Sequence, residues 1–228
     1  MDIFIAIKLS IYNADGTTVT ERTFYDKDIR KAISIKNKYQ WGDTPQFTIY
    51  NQDCDITIHD KDGELQSYIN RGQIINGDKV VVNLVKREND QMTVIDKINE
   101  YVISDIEYYM ASDEVKLSLS DELLYNGTDR YFVDKSQESF YVEAKTGKQW
   151  IELLVSKLFP EESKNIVYRN GANEIVSLVD LPSLYLNNDL VTNIIEDFCI
   201  TFGLVVYTDD NSIIVDRFSQ RRGNVQWQ

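Results

Sequence analysis

Between Asp180 and Arg217 the chain runs from a leucine-rich turn into an amphipathic helix, stops at a glycine and continues at once into two short apolar runs. Val191, Ile194, Ile195, Phe198 and Phe202 recur at i, i+3, i+4 spacing, while Asn193, Glu196 and Asp197 fall on the other side. Such a stripe has to be buried, so this segment folds only against a partner surface. Asn188 is positioned to cap the helix with its side chain, and Gly203 stands where a left-handed residue closes one. Leu204–Tyr207 and Ser212–Val215 flank Thr208-Asp-Asp-Asn211, which predicts two strands joined by a short polar loop. The unit is a scaffold and carries no catalytic constellation.

Upstream the signals are those of short strands. Residues 3–12 alternate with period two, and Asn13-Ala-Asp-Gly16 followed by Thr17–Tyr25 predicts an amino-terminal hairpin. A strand over Ala32–Lys36 precedes Tyr39, Trp41 and a turn through Gly42-Asp-Thr-Pro45. Phe47–Tyr50 and Asp55–His59 alternate cleanly, and Asp60-Lys-Asp-Gly63 supplies turn chemistry. Ile74-Ile75 and Lys79–Lys86 surround another tight turn at Asn76-Gly-Asp78, with further strands near Tyr101–Met110 and Glu114–Ser120. The pattern then changes: Thr146–Phe159 reads as a helix with Trp150, Ile151, Leu154 and Leu158 on one face, stopped by Pro160. These signals predict an α+β fold. Residues 1–125 form an antiparallel β-barrel or sandwich domain of seven or eight strands; residues 126–218 form a smaller α+β domain with two amphipathic helices and a terminal hairpin; residues 219–228 are a polar tail.

Charge narrows the set of partners. The 37 acidic residues outweigh 24 basic ones, for a formal net charge of −13, so phosphate backbones and anionic membrane faces are repelled on average. Basic residues never run beyond two in a row (Arg30-Lys31, Lys86-Arg87, Arg221-Arg222), which predicts solvated surface and no specific nucleic-acid binding. The apolar run at the start lacks a basic flank, and no stretch reaches the ~20 apolar residues of a membrane span. Cys54 and Cys199 lie far apart and outside any Cys-x-x-Cys motif, which suits a reducing compartment, although a disulfide stays open; Cys199 reads as a small core residue.

Groups capable of chemistry are few and scattered. His59 is the only histidine and lies in an alternating strand, with no Gly-x-Ser-x-Gly elbow anywhere, so it reads as a strand-surface imidazole. Asp60-Lys-Asp-Gly-Glu64 holds a fragment of a calcium loop without its remaining carboxylates, and reads as a β-turn. Phosphate-binding glycine loops are absent. Asn126-Gly-Thr128 fits a glycosylation sequon and reads as a turn. Tyr108-Tyr109, and Tyr39 with Trp41, fit either packing or a sugar- or partner-binding surface. No catalytic, cofactor-binding or metal-binding residue is assigned, and no cofactor is expected.

The order of segments carries a resemblance. Phe47-Thr-Ile-Tyr-Asn51, Ile69–Ile74 and Asn76-Gly-Asp-Lys-Val-Val-Val82 resemble the strand, asparagine, turn, Gly-Asp, strand layout of the first barrel in bacteriophage tail and baseplate hub proteins. Ser104-Asp-Ile-Glu107 and Val115–Asp121 are similar to the barrel strands that follow. The Trp150 helix, Leu181-Pro-Ser-Leu-Tyr-Leu186, the helix after Asn188, Gly203 and the last hairpin are similar to the helical insertion of those hubs. The resemblance implies a non-enzymatic structural subunit of a virion, assembled in the host cytoplasm. It further implies a trimeric or hexameric homo-oligomeric ring that joins tail-tube proteins to tip or spike proteins. Two other readings stay open at this point: a carbohydrate- or receptor-binding module using the tyrosines, and a carboxylate-dependent hydrolase using the abundant acids.

Overall fold

A computed structural model describes residues 2–13, 15–25, 28–29, 34–37, 52–89, 91–133, 139–209 and 211–217. The fold is α+β, and the chain gathers into two compact units, the first drawn from the described residues up to Lys36 together with Gln52–Tyr125.

The first unit is built on β1 (Asp2–Tyr12), β2 (Thr18–Phe24), β3 (Ser34–Asn37), β4 (Gln52–His59), helix α1 (Glu64–Asn70), β5 (Lys79–Glu88), β6 (Gln91–Tyr109) and β7 (Glu114–Ser120). The strands form one seven-stranded sheet in the order β2-β1-β5-β6-β7-β4-β3, curled into a half-barrel. The ladders β2–β1, β1–β5, β5–β6, β6–β7 and β7–β4 are all antiparallel. Period-two alternation drives the curl inward: Ile7, Leu9 and Ile11 of β1, Ile56 and Ile58 of β4, Val80 and Val82 of β5, and Val115, Leu117 and Leu119 of β7 are all buried in one cluster. Each such side chain contributes about 1.5–3 kcal/mol on leaving water. Register shifts in β6, opposite Val82/Asn83 and Leu84/Val85 and again between Ile103 and Asp105, insert the extra residues that bend a sheet.

Where this unit departs from expectation, the cause is local. The expected turn at Asp60–Gly63 forms, with the Gly63 N–H donating to the Asp60 carbonyl at 2.9 Å, but it leads into α1, which the sequence pattern does not announce. Only Leu65 of that helix is buried, so no apolar period exists to read. The buried Asp60 carboxylate accepts the N–H groups of Leu65 (2.9 Å) and Gln66 (2.8 Å), satisfying the first donors of the helix. Ile74-Ile75 is not a strand. It precedes a turn in which Asp78 accepts the Ile75 N–H at 2.8 Å. The strand expected from Tyr101 begins ten residues earlier, at Gln91, because residues 91–98 are solvent-exposed throughout and show no alternation. Of the strand expected over Ala32–Lys36, the part from Ser34 is observed and runs on to Asn37. Ala32, Tyr39, Trp41, Gly42–Pro45, Phe47–Asn51 and the tail 219–228 lie outside the described residues.

The second unit follows helix α2 (Glu122–Gly127). It holds β8 (Ser139–Val142), β9 (Lys145–Thr146), α3 (Gly147–Leu158), β10 (Asn165–Tyr168), α4 (Ala172–Leu178), β11 (Asp180–Leu181), β12 (Leu184–Asn187), α5 (Val191–Phe202), β13 (Leu204–Asp209) and β14 (Ser212–Arg217). Helix α3 starts with a reciprocal capping box: the Thr146 hydroxyl accepts the Gln149 N–H at 3.2 Å, and the Gln149 side chain accepts the Thr146 N–H at 3.0 Å. Trp150, Ile151, Leu154, Val155 and Leu158 are buried, as the spacing requires. The hairpin β13–β14 forms with a shorter connection than Thr208–Asn211, since Thr208 and Asp209 remain in the ladder. A parallel strand, β10, adds to β14 and completes a three-stranded sheet.

Four expectations for this unit are corrected. Asn188 does not cap α5: its side-chain amide bridges the Val133 backbone, accepting the N–H at 3.2 Å and donating to the carbonyl at 3.3 Å. The helix begins after Leu190, and the Val191 N–H donates to the Arg130 carbonyl at 2.8 Å. The leucine-rich segment is not a turn, because Asp180–Leu181 and Leu184–Asn187 pair as strands with β9 and β8. A third helix, α4, joins the two expected; only Ala172 and Val176 are buried on it, too short a pattern to recognise. Asn126 and Gly127 belong to the last turn of α2, and a Cβ on Gly127 would lie 2.0 Å from Thr192 Cγ2. Gly203 behaves as expected, closing α5 at φ 64°.

Phe198→Ala should cost ~3–5 kcal/mol in equilibrium urea unfolding, because Phe198 sits on the buried face of α5, whereas Ile200→Ala on its exposed face should stay within about 0.5 kcal/mol of the parent.

Candidate assembly surface

The outer part of β6, from Gln91 to Ile98, is exposed throughout, while β5, its hairpin partner, is largely buried or half-buried. Strand β7 pairs with β6 only over Val102–Tyr109, so from Gln91 to Asp96 the strand has β5 as its only ladder partner among the described residues. That leaves one row of backbone donors and acceptors without a neighbouring strand, the usual template for adding one. The side chains there are apolar as well as exposed: Met92 39%, Val94 59%, Ile95 49% and Ile98 39%. Register explains part of this. Val94 lies opposite Val85, and Val85 lies opposite Phe4, so Val94 continues a face that is buried at Val85 and ends in water at β6. Ile3, 53% exposed, lies in the neighbouring row.

The base of this hairpin is pinned by charge. Lys79 Nζ sits 3.2 Å from Glu100 and 3.4 Å from Glu122, while Lys97 Nζ sits 2.9 Å from Glu100. Burial pushes the Glu100 carboxyl up, but the hydrogen bonds and charges of Lys97 and Lys79 together outweigh it and hold the group below its ordinary value. Burial likewise pulls Lys79 down, and the charges and hydrogen bonds of Glu122 and Glu100 outweigh it, leaving the ammonium raised. At the hairpin tip Arg87 reaches Asp2 at 3.2 Å and lies 5.5 Å over the Phe4 ring, and Lys86 pairs with Glu88 at 2.6 Å.

The residues weighed for chemistry are dispersed. His59 ends β4, opposite Glu114, with Nδ1 3.2 Å from the Asp113 carbonyl oxygen. Asp60 serves the backbone of α1, as described above. Cys54 and Cys199 are free buried thiols, each within its own unit; burial, with a smaller push from Asp55, moves Cys54 up to about 12, and burial raises Cys199 too. Neither is a reactive thiolate. Tyr108 packs against the half-barrel core, while Tyr109 is exposed and donates to Glu107 at 2.5 Å. Among the described residues no three His, Cys, Asp or Glu side chains gather as metal ligands, and no helix is long and apolar enough to cross a membrane. Of the basic pairs, Arg30-Lys31 and Arg221-Arg222 lie outside the described residues.

One aromatic feature escapes a reading of the sequence. Tyr141 on β8 and Tyr185 on β12 face each other across their ladder with ring centroids 5.3 Å apart, and they are 54% and 76% exposed. Their partnership comes from strand pairing across more than forty residues, which no local pattern announces. The hairpin surface escapes for a related reason: exposure on both faces removes the alternation by which strands are read.

No family model and no curated protein matches the sequence. Solved structures do match. The tail protein from Neisseria meningitidis MC58 superposes with a TM-score of 0.53 at 12% identity, over 94% of this chain and 50% of that one. The 43 kDa tail protein of prophage MuSo2 from Shewanella oneidensis gives 0.50 at 10% identity, over 95% of this chain and 56% of that one. This fold is shared with phage tail proteins. At such identities the likeness is one of fold, and the chain spans about half the length of the solved proteins it matches.

Because Glu100 is held below its ordinary value, the stability it contributes is present above the unfolded carboxyl pKa of about 4.3 and is lost as pH falls through the lower folded value. Glu100→Gln should therefore lower the urea midpoint at about pH 7, and the gap between variant and parent should narrow steadily as pH falls below the unfolded carboxyl value.

Proposed function

We propose that this chain is a structural component of a phage tail or a related injection machine. In this reading it is a hub or adaptor ring subunit that joins the tail tube to the tip. The observation that carries the reading is the fold likeness to two phage tail proteins over 94–95% of the chain, through both units rather than one. The segment order that resembles the hub family points the same way from the sequence alone. The half-barrel with an open strand edge suits a subunit that works by shape and self-association. Its place would be the virion, after assembly in the host cytoplasm, with copies of itself, tube proteins and tip or spike proteins as partners and no chemistry of its own. Domains 1–125 and 126–218 would serve as the ring-forming barrel and a second, smaller lobe.

A second reading, a carbohydrate- or receptor-binding module, draws support from the exposed Tyr141–Tyr185 pair, since exposed aromatic faces are what sugars and partner proteins stack on. The two readings differ in what concentration does. Sedimentation velocity of the full chain from about 1 to about 500 µM should give a three- or six-fold species if the ring reading holds. A monomer over that whole range, combined with glycan binding lost in Tyr185→Ala, would replace it with the second reading.

A further inference from the structure

We infer that the exposed edge of β6 from Gln91 to Asp96 is the seam at which a second copy of this chain adds a strand, and that the strand it brings is β2. The inference rests on the assembly reading above and names the surface that reading needs.

Three observations carry it. The first is the backbone: over Gln91–Asp96 β5 is the only strand laddered with β6 among the described residues, so the ligand this edge takes is an extended strand. The second is the side chains. Exposed sheet edges are normally guarded by proline, by inward charges or by bulges that turn them away. Here the stretch has no proline, and although bulges are present, the residues they insert are Ile95 and, just beyond the stretch, Ile98, 49% and 39% exposed, next to Val94 at 59%, so the bulges add apolar surface to the edge. A strand laid against this edge would withdraw that apolar surface from water. The third is charge. Two copies of a chain with net charge −13 repel over most of their surface, yet between Lys86 and Lys97 the charges balance: Lys86, Arg87 and Lys97 against Glu88, Asp90 and Asp96.

The choice of occupant follows from a terminal strand of the same sheet, in which β6 is an interior strand with an overhanging outer part. Strand β2 is that terminal strand, laddered to β1 alone among the described residues, with Glu21, Arg22 and Thr23 exposed. Its adjacent acid and base mirror those of β6. In an antiparallel alignment that sets Glu21 opposite Lys97, Arg22 falls opposite Asp96, giving two cross-strand ion pairs, one on each face of the sheet. Within one chain Glu21 pairs with Lys8, Arg22 with Glu64 and Lys97 with Glu100; the first two are exposed pairs of small net worth, and Glu100 keeps Lys79 where Lys97 is shared with the added strand. Pairing β2 of one copy with the overhanging part of β6 in the next joins two different surfaces, which makes the contact head-to-tail, and repeated with rotation it closes a ring.

The experiment uses the full chain. Val94→Asp and Ile95→Asp alter exposed side chains, so both variants should keep the parental circular dichroism and melting curve while association weakens at least about tenfold in sedimentation velocity. Lys97→Glu and Glu21→Lys should each weaken association about fivefold, and the double variant E21K/K97E should recover most of it, because every copy then carries both reversed partners. In the parent, amide exchange over Gln91–Asp96 and over β2 should slow as concentration rises. If the parent associates but V94D and I95D associate equally well and the exchange of these strands does not respond to concentration, this seam is wrong and the assembly reading stands. Should E21K/K97E stay as weak as the single variants, β2 is not the added strand. A parent that remains monomeric at every concentration removes the seam and the assembly reading together. Should an aspartate variant unfold, the exchange measurement on the parent decides alone.

Discussion

The ladder between β5 and β6 holds the first unit together. It runs from Lys79 opposite Val102 to Glu88 opposite Gln91, and it joins a half-sheet of β2, β1 and β5 to one of β6, β7, β4 and β3. Without it the two halves would each expose the apolar face that they bury jointly. The register shifts within that ladder let one sheet curl enough to enclose its own core, while α1 packs Leu65 into the same apolar cluster. The Lys79, Glu100, Glu122 and Lys97 cluster sits at the base of the ladder and ties strand, strand and following helix by charge where apolar packing thins out. Beyond that base the outer part of β6 is exposed while β5 stays covered by β1. The same pairing that stabilises the core therefore also creates the projecting edge.

The second unit rests on a different constraint. Two amphipathic helices, α3 and α5, bury their stripes, and backbone pairing sets where they begin and end. Thr146 and Gln149 define the first turn of α3, and Gly203 turns the chain from α5 directly into β13. Asn188 contributes through the chain segment beside α5 rather than through the helix, its amide standing in for one rung of a ladder with Val133. Gly127 is held to glycine by the Thr192 side chain, which occupies the space a Cβ would need.

The groups that commonly mark a reaction centre are each accounted for by structure: Asp60 by the start of α1, Cys54 and Cys199 by burial, and Glu100 by two lysines. The distinctive surface is a strand whose backbone edge and apolar side chains face solvent together, on a chain whose overall charge discourages casual contact. Solved tail proteins share the fold at 10–12% identity, a level at which backbone architecture persists after almost every side chain has changed.

By itself the sequence determined those elements whose signal is local. Period two in β1, β4 and β7, the i, i+3, i+4 stripes of α3 and α5, Pro160 after α3 and Gly203 after α5 were all legible, because each depends on residues within one or two turns of chain. Tertiary structure alone decided the rest. The helices α1 and α4 bury one and two residues respectively, so their existence depends on what they pack against. The parallel addition of β10 to β14, the Tyr141–Tyr185 pair and the role of Asn188 all arise between segments more than forty residues apart. The outer half of β6 was illegible for the converse reason. A strand is read from the contrast between its buried and exposed faces, and a strand with solvent on both faces has none.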